Sequence, residues 1–72
     1  MSNTTTFNVQ GMTCGHCVSA VTQELSAIDG VESVDIDLVA GGDSPVTVTS
    51  QAPVDESAIN AAVTEAGYQV TS

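Results

Sequence analysis

Along this chain, apolar residues recur either at every second position, as in strands, or at helical spacing. The order of these stretches limits the folds that the chain can adopt. Apolar and polar residues alternate from Thr5 to Val9 and again from Val34 to Leu38, a pattern typical of strands with one buried face. Between these stretches, from His16 to Ile28, apolar residues recur at helical spacing, and they do so again after Pro53. The sequence therefore predicts strands and helices interleaved around one core.

Glycine and proline residues mark the predicted boundaries. Gly11 ends the first strand, and Asp29-Gly30 closes the first helix with Gly30 in the left-handed position past its end. Gly41-Gly42-Asp43 forms a turn, after which Pro45 begins a third strand over PVTVTS, where its missing N–H does least harm.

The second helix has a capping residue, one apolar face and a glycine stop. Asp55 is the predicted N-cap, and Val54 can pack on Ile59 as a hydrophobic staple. The apolar face ends at Gly67, and a last strand follows over 68–70. This face consists of Ile59, Ala62, Val63 and Ala66.

The resulting order, β-α-β-β-α-β, is the ferredoxin-like arrangement of the α+β class. Each helix has a single apolar stripe, so both must cover one face of a four-stranded antiparallel sheet. We expect residues 1–72 to form a single domain, because a chain of this length has no room for a second core.

The charge balance excludes several classes of partner. The chain has nine acidic residues, no lysine and no arginine, for a formal net charge of −9. Binding to nucleic acid or to an anionic membrane surface requires cations that this chain lacks. The acids are spread singly from Glu24 to Glu65, which is typical of a solvated surface and leaves a basic or weakly charged partner as the favoured one.

The N-terminus predicts a cytoplasmic protein. MSNTTTFNVQ lacks the charged and apolar regions of a secretory signal, and no apolar run reaches the ~18 residues that would span a bilayer. In a reducing compartment, two nearby thiols are more often metal-binding or redox-active than a structural disulfide.

Both cysteines and the only histidine of the chain occur in GMTCGHC, residues 11–17. The predicted order places this segment in the first strand-to-helix loop, where free N–H groups and the helix dipole favour thiolates. Four interpretations are open: small buried side chains, a structural zinc site, a thioredoxin-like redox pair, and a two-thiolate site for a soft monovalent ion. Zinc needs four ligands, whereas Cu(I) accepts two thiolates and an open site permits rapid exchange, so we favour Cu(I).

GMTCGHC resembles the GMxCxxC signature of heavy-metal-associated domains. The histidine before the second cysteine, together with Val18, is similar to the bacterial CopZ-type copper chaperones. DGVESVDIDL and AINAAVTEAGYQV also match the usual layout of the family, so the resemblance covers nearly the whole chain.

The resemblance implies a cytoplasmic carrier, not an enzyme, that binds one Cu(I) per monomer through Cys14 and Cys17. It implies delivery to the metal-binding domain of a copper-transporting P-type ATPase or to a copper-responsive repressor. It further implies a monomer without metal and a dimer that copper can bridge. Met12, Thr13, Gly15, His16 and Tyr68 would support the loop or surround the ligands. We expect Met12 to pack inward, Tyr68 to shield the site or order the loop, and His16 to be a solvated residue of the first helical turn.

The lack of lysine departs from the family pattern and leaves the docking partner open. Zn(II) and Hg(II) also bind thiolate pairs, so selectivity stays open as well. Two alternative functions are a metal-binding regulatory domain of a heavy-metal P-type ATPase and a thiol oxidoreductase. The start at Met1 and the end two residues past the last strand favour a free-standing protein over an excised domain.

Overall fold

Six secondary-structure elements follow one another in the predicted order. A computed structural model describes residues 3–71. Its elements are β1 (Asn3–Gln10), α1 (Gly15–Ser26), β2 (Val31–Ile36), β3 (Asp43–Ser50), α2 (Glu56–Glu65) and β4 (Gln69–Val70). The predicted βαββαβ order and ferredoxin-like α+β class are confirmed.

The four strands form one antiparallel sheet in the order β2-β3-β1-β4. β1 and β3 pair along their whole length, from Asn3 opposite Ser50 to Gln10 opposite Asp43. β4 is much shorter and pairs with β1 only at Val9 and Gln10. The cysteine loop therefore leaves the sheet from the end of a central strand that is held on both sides.

Both helices cover the same face of this sheet. Val9, Val46 and Val48 point toward this face and are fully buried, whereas their sequence neighbours on the opposite face, such as Gln10 and Pro45, are exposed. The remaining core residues are Phe7, Met12, Val21, Leu25, Ile59, Ala62 and Val63. The core is almost entirely aliphatic, and its stability comes from burying these side chains rather than from ion pairs.

The first helix is shorter than predicted at its C-terminal end. It ends at Ser26, because the N–H of Ala27 is shared between the carbonyls of Gln23 and Glu24 and the last turn tightens. Ile28 still packs against the core, which explains why it continued the apolar pattern. Gly30 has the expected positive φ, +90°, but it serves the turn into β2 and not the helix end.

The second strand begins and ends earlier than predicted, at Val31 and Ile36. Leu38 lies outside this strand but is half-buried against the core. Its apolar side chain therefore reflects burial and not pairing within a strand. Asp43 belongs to β3 rather than to the turn.

Pro45 is the third residue of β3, not the first as predicted, although β3 lies inside the sheet. On the β2 side its carbonyl accepts the N–H of Asp37 at 3.0 Å. Asp37 lies just past the last residue of β2, so the missing N–H of Pro45 points to where that strand has already ended.

The second helix begins as predicted. The carboxylate of Asp55 accepts the backbone N–H of Ser57 at 3.4 Å, and the dihedral angles of Asp55 are extended, as an N-cap requires. Val54 is half-buried and belongs to the same apolar cluster as Ile59. The N-cap prediction is confirmed.

Candidate metal centre

The two cysteines occupy the N-cap and the first turn of α1. Cys14 has extended dihedral angles, φ −155° and ψ 177°, and its carbonyl accepts the N–H of Cys17 at 3.1 Å and of Val18 at 3.3 Å. Its side chain makes no capping hydrogen bond. The thiol of Cys14 therefore does not cap the helix and lies at the positive end of the helix dipole, where negative charge is favoured.

The sulfur atoms of Cys14 and Cys17 lie 3.7 Å apart. Both thiols are free, since a disulfide bond would bring the two sulfurs to about 2.05 Å. Cys14 is exposed and Cys17 is half-buried. The pair thus combines one thiol that faces solvent with one that the fold holds in place.

Hydrogen bonding lowers the pKa of Cys17 from 9.0 to about 6. The backbone N–H of Thr13 contributes most, followed by the hydroxyl of Tyr68 and the backbone N–H of Cys14. Burial opposes these effects, and the Thr13 hydroxyl, 3.8 Å from the sulfur, adds a smaller one. The folded state therefore favours the thiolate of Cys17, which is the form that binds metal.

Tyr68 reaches the site from the other end of the chain because of how α2 ends. The N–H of Gly67 donates to the carbonyl of Thr64 at 2.9 Å, and the N–H of Tyr68 donates to that of Val63 at 3.0 Å. With Gly67 at φ +93°, this is a Schellman motif, in which glycine takes the left-handed conformation. Tyr68 precedes β4 instead of beginning it, contrary to the prediction, and its hydroxyl turns toward Cys17. This hydrogen bond is the largest of the effects that raise the pKa of Tyr68.

Met12 lies beneath the loop with 0% of its surface exposed, as part of the core. Its side chain therefore packs inward, as expected. Gly11, just before it, has φ +96°, and a side chain there would contact the ring of Tyr68. The sharp exit from β1 thus depends on a residue without a Cβ atom.

Gly15 and His16 lie in the first helical turn, and both are exposed. Within residues 3–71, no group of three or more His, Cys, Asp or Glu side chains is arranged to hold a metal ion. His16 and the two cysteines therefore do not form a ready three-ligand site in one chain.

Sequence reasoning named Thr13 as a supporting residue without its specific role, and it missed Gly41. The double role of Thr13, through its N–H and its hydroxyl, depends on how the loop folds back over Cys17, and a threonine in a loop gives no sign of it. Gly41, 29 positions from Met12 in the chain, donates its N–H to the Met12 carbonyl at 3.0 Å. The Gly41-Gly42 pair could have indicated a close backbone approach in addition to a turn.

A βαββαβ sandwich with two free thiols at the start of its first helix defines a class of small domains with an open dithiol site. The chain belongs to the heavy-metal-associated domain family, whose pattern matches residues 6–69. In the described part of the chain, no helix is long and apolar enough to cross a membrane.

Individual relatives within this family are copper proteins by name. The chain is 44% identical over 63 residues, 88% of its length, to the copper chaperone CopZ of Staphylococcus aureus (strain JH9), of which it covers 90%. A solved CopZ metallochaperone is 40% identical with a TM-score of 0.82, over 96% of this chain and all of the other. The yeast copper transporter domain CCC2A, solved in apo and Cu(I)-loaded states, is 28% identical with a TM-score of 0.78, over 93% of this chain and 89% of that domain.

Proposed function

We propose that this chain is a copper chaperone that binds one Cu(I) ion between Cys14 and Cys17 and releases it by thiolate exchange. The observation that carries the proposal is the pair of free thiols 3.7 Å apart, one exposed and one held as a thiolate, at the positive end of a helix. Two soft sulfur ligands suit Cu(I) and leave its other positions open. Residues 1–72 act as one domain in this proposal, and the function is transport rather than catalysis.

The spacing of the sulfurs suggests how the ion enters. With metal–sulfur bonds of about 2.3 Å, as for zinc thiolates, a separation of 3.7 Å corresponds to an S–metal–S angle of roughly 110°. A linear two-coordinate ion would require the sulfurs to be about 4.6 Å apart. Cys14 is the one to move, because its side chain is exposed and makes no capping bond, whereas Cys17 is hydrogen-bonded by Thr13 and Tyr68.

Transfer then proceeds by ligand substitution. A thiolate of the receiving domain attacks the open side of the ion to give a three-coordinate intermediate, and Cys14 dissociates before Cys17. No oxidation state changes, and each departing thiolate either keeps its negative charge or takes a proton from solvent. The order follows from the exposure of Cys14, whose side chain can swing away from the ion, whereas the sulfur of Cys17 is half-buried and held by the Thr13 hydroxyl.

The proposed receiver is the metal-binding domain of a copper-transporting P-type ATPase, or a copper-responsive repressor. Support comes from the similarity of the chain to a yeast copper transporter domain and to relatives that are named copper chaperones. The chain has no lysine or arginine and a formal net charge of −9, so we expect a receiving surface that is basic or weakly charged. Transfer to a basic domain should slow as salt is added, whereas transfer to an acidic domain should accelerate. We further propose that the protein acts in the cytoplasm, where thiols stay reduced.

The direct test is competition of Cu(I), Zn(II) and Hg(II) against chelators of known affinity, with the reduced protein and two sets of variants. Cys14→Ser and Cys17→Ser should each abolish tight Cu(I) binding while the metal-free fold persists. His16→Gln is the matched control within the same motif, and its Cu(I) affinity should change by less than about tenfold. Equal loss in His16→Gln would make the histidine a ligand, and tighter binding of Zn(II) or Hg(II) than of Cu(I) would overturn the choice of metal.

A thiol oxidoreductase is the second candidate, and the lowered pKa of Cys17 is the observation that favours it. Such a protein would cycle between dithiol and disulfide without metal. Disulfide reduction that turns over in the presence of a strong Cu(I) chelator would support this candidate over the chaperone.

A further inference from the structure

Ser44, the second residue of β3, is one of two fully buried polar side chains among residues 3–71, with 0% of its surface exposed. Its hydroxyl accepts the N–H of Val39 at 2.9 Å and lies 3.4 Å from the carbonyl of Val39, to which it can donate. One side chain therefore holds both backbone groups of a loop residue five positions earlier. A hydroxyl buried in an aliphatic core is costly unless it is fully hydrogen-bonded, which is the case here.

Val39 in turn closes the loop that connects β2 to β3. Its carbonyl accepts the N–H of Gly42 at 3.0 Å, so that 39–42 form a tight turn. The turn brings Gly41 into the left-handed conformation, with φ +76°. In this conformation the N–H of Gly41 donates to the carbonyl of Met12 at 3.0 Å, inside the segment that bears the cysteines.

The hydrogen bond from Gly41 to Met12 also restrains the thiols, because Met12 directly precedes a residue that contacts Cys17. Its side chain is fully buried, so its backbone is held both by the core and by Gly41. The next residue, Thr13, supplies the backbone N–H and the hydroxyl that hydrogen-bond the sulfur of Cys17. Hydrogen bonds, together with the covalent links from Gly42 to Gly41 and from Met12 to Thr13, thus join Ser44 to a thiol that Ser44 does not touch.

We propose that Ser44 is a positioning residue of the metal site, acting through the 39–42 turn on the loop that carries Cys14 and Cys17. This inference rests on the proposed function, since the loop matters only if the thiols bind metal. Without the hydroxyl of Ser44, the turn samples other conformations and the Gly41 N–H leaves the Met12 carbonyl part of the time. The fraction of molecules with both sulfurs converging then falls, and the apparent Cu(I) affinity falls by the same factor.

The chain offers a matched control in Ser50, the other fully buried polar residue. Ser50 is the last residue of β3 and lies opposite Asn3, at the end of β1 away from the cysteine loop. Its hydroxyl also holds a connecting segment, donating to the carbonyl of Ala52 at 2.6 Å. Ser44→Ala and Ser50→Ala therefore remove the same group, equally buried, from opposite ends of one strand.

The experiment compares these two variants with the wild-type protein and with Ser44→Thr, which keeps the hydroxyl. Three quantities are measured: the thermal midpoint, amide hydrogen exchange at Gly41 without metal, and Cu(I) affinity by chelator competition. We expect both alanine variants to lower the midpoint by similar amounts. Only Ser44→Ala should accelerate exchange at Gly41, by about tenfold, and weaken Cu(I) binding, by about three- to tenfold. Ser44→Thr should bind Cu(I) more nearly like the wild type than Ser44→Ala does.

The outcomes separate this inference from the function on which it rests. Equal Cu(I) affinities and equal Gly41 exchange in Ser44→Ala and Ser50→Ala would overturn the positioning role. If Ser44→Ala does not fold, Ser44→Thr decides, since loss of Cu(I) affinity despite a retained hydroxyl and an unchanged midpoint would contradict the inference. If the wild-type protein fails to bind Cu(I), the proposed function is wrong, and faster Gly41 exchange confined to Ser44→Ala would still establish the link between turn and loop.

Discussion

The hydroxyl of Tyr68 donates a hydrogen bond to the sulfur of Cys17, across 51 positions of the chain. This contact connects the end of the second helix to the start of the first. It depends on the Schellman motif at Gly67, which turns the chain back toward the cysteine loop. The last helix therefore influences the chemistry of a thiol near the N-terminus.

Removing this hydroxyl should raise the pKa of Cys17. In Tyr68→Phe, the N–H groups of Thr13 and Cys14 still stabilise the thiolate, so the pKa should move upward from about 6 but stay below 9.0. The measurement is the pH dependence of alkylation by iodoacetamide in a Cys14→Ser background, where Cys17 is the single thiol. Thr4→Ala, an exposed truncation near the start of β1 at the end away from the cysteine loop, serves as the control and should leave the profile unchanged. An unchanged profile in Tyr68→Phe would contradict the hydrogen bond.

The metal-free protein should become more stable as the pH rises from about 6 toward 9.0. The folded state holds the pKa of Cys17 below its unfolded value, so within this window the unfolded chain binds a proton that the folded chain does not. The stabilisation is complete above the unfolded pKa and is lost as the pH falls through the folded one. Urea titrations across this range should show the trend in the wild-type protein. In Cys17→Ser the slope between these pH values should be smaller.

Met12 should tolerate an apolar replacement without loss of metal. Met12→Leu keeps the volume of a fully buried side chain, so the free energy of unfolding should fall by less than about 1.5 kcal/mol and Cu(I) affinity should persist. Met12→Ala leaves a cavity and should cost about 2–5 kcal/mol. The two variants are compared by urea denaturation and chelator competition. Loss of Cu(I) affinity in a well-folded Met12→Leu would make the thioether a ligand.

Salt should stabilise the fold. Nine carboxylates and no lysine or arginine repel one another within a molecule whose radius of gyration is 10.9 Å. The Debye length is about 30 Å at 0.01 M salt, so the whole molecule feels this repulsion, but only about 3 Å at 1 M. Thermal midpoints should therefore rise with sodium chloride over this range. If the thermal midpoint does not change with salt, repulsion between the carboxylates does not limit the stability of the fold.

Two acids at opposite ends of α2 should differ in their effect. Glu56 lies in the first turn, where the helix dipole favours negative charge, whereas Glu65 is the last helical residue and no basic residue accompanies it. Glu65→Gln should raise the free energy of unfolding by a few tenths of a kcal/mol, about 0.3 to 1, at low salt. Glu56→Gln relieves the same net charge but loses the favourable dipole interaction, so it should stabilise less or destabilise. Equal effects in the two variants would mean that net charge alone matters.

Much of this architecture could be predicted from the sequence because each element carries its own local signals. Alternation at Phe7 and Val9, the N-cap Asp55 and the stop at Gly67 act over a few residues, and the structure has all three. The errors at Ile28 and Leu38 share one cause: both side chains pack on the core from outside a regular element, and an apolar pattern cannot separate burial from pairing. The bond between Gly41 and Met12 could not be predicted, because it joins backbone groups that the fold alone brings together.

The shortness of β4 has a consequence for how molecules of this protein meet one another. Beyond Val9 and Gln10, the outer edge of β1 lacks a paired strand within residues 3–71, apart from the bond between the Thr71 N–H and the Asn8 carbonyl at 2.8 Å. The segment Asn3–Phe7 has no charge and no proline, the usual guards against intermolecular strand pairing. Repulsion between whole molecules takes over that protective role, so solubility at this edge depends on carboxylates located elsewhere in the chain. Neutralising them with acid would remove the barrier to edge-to-edge aggregation, even where the fold itself survives.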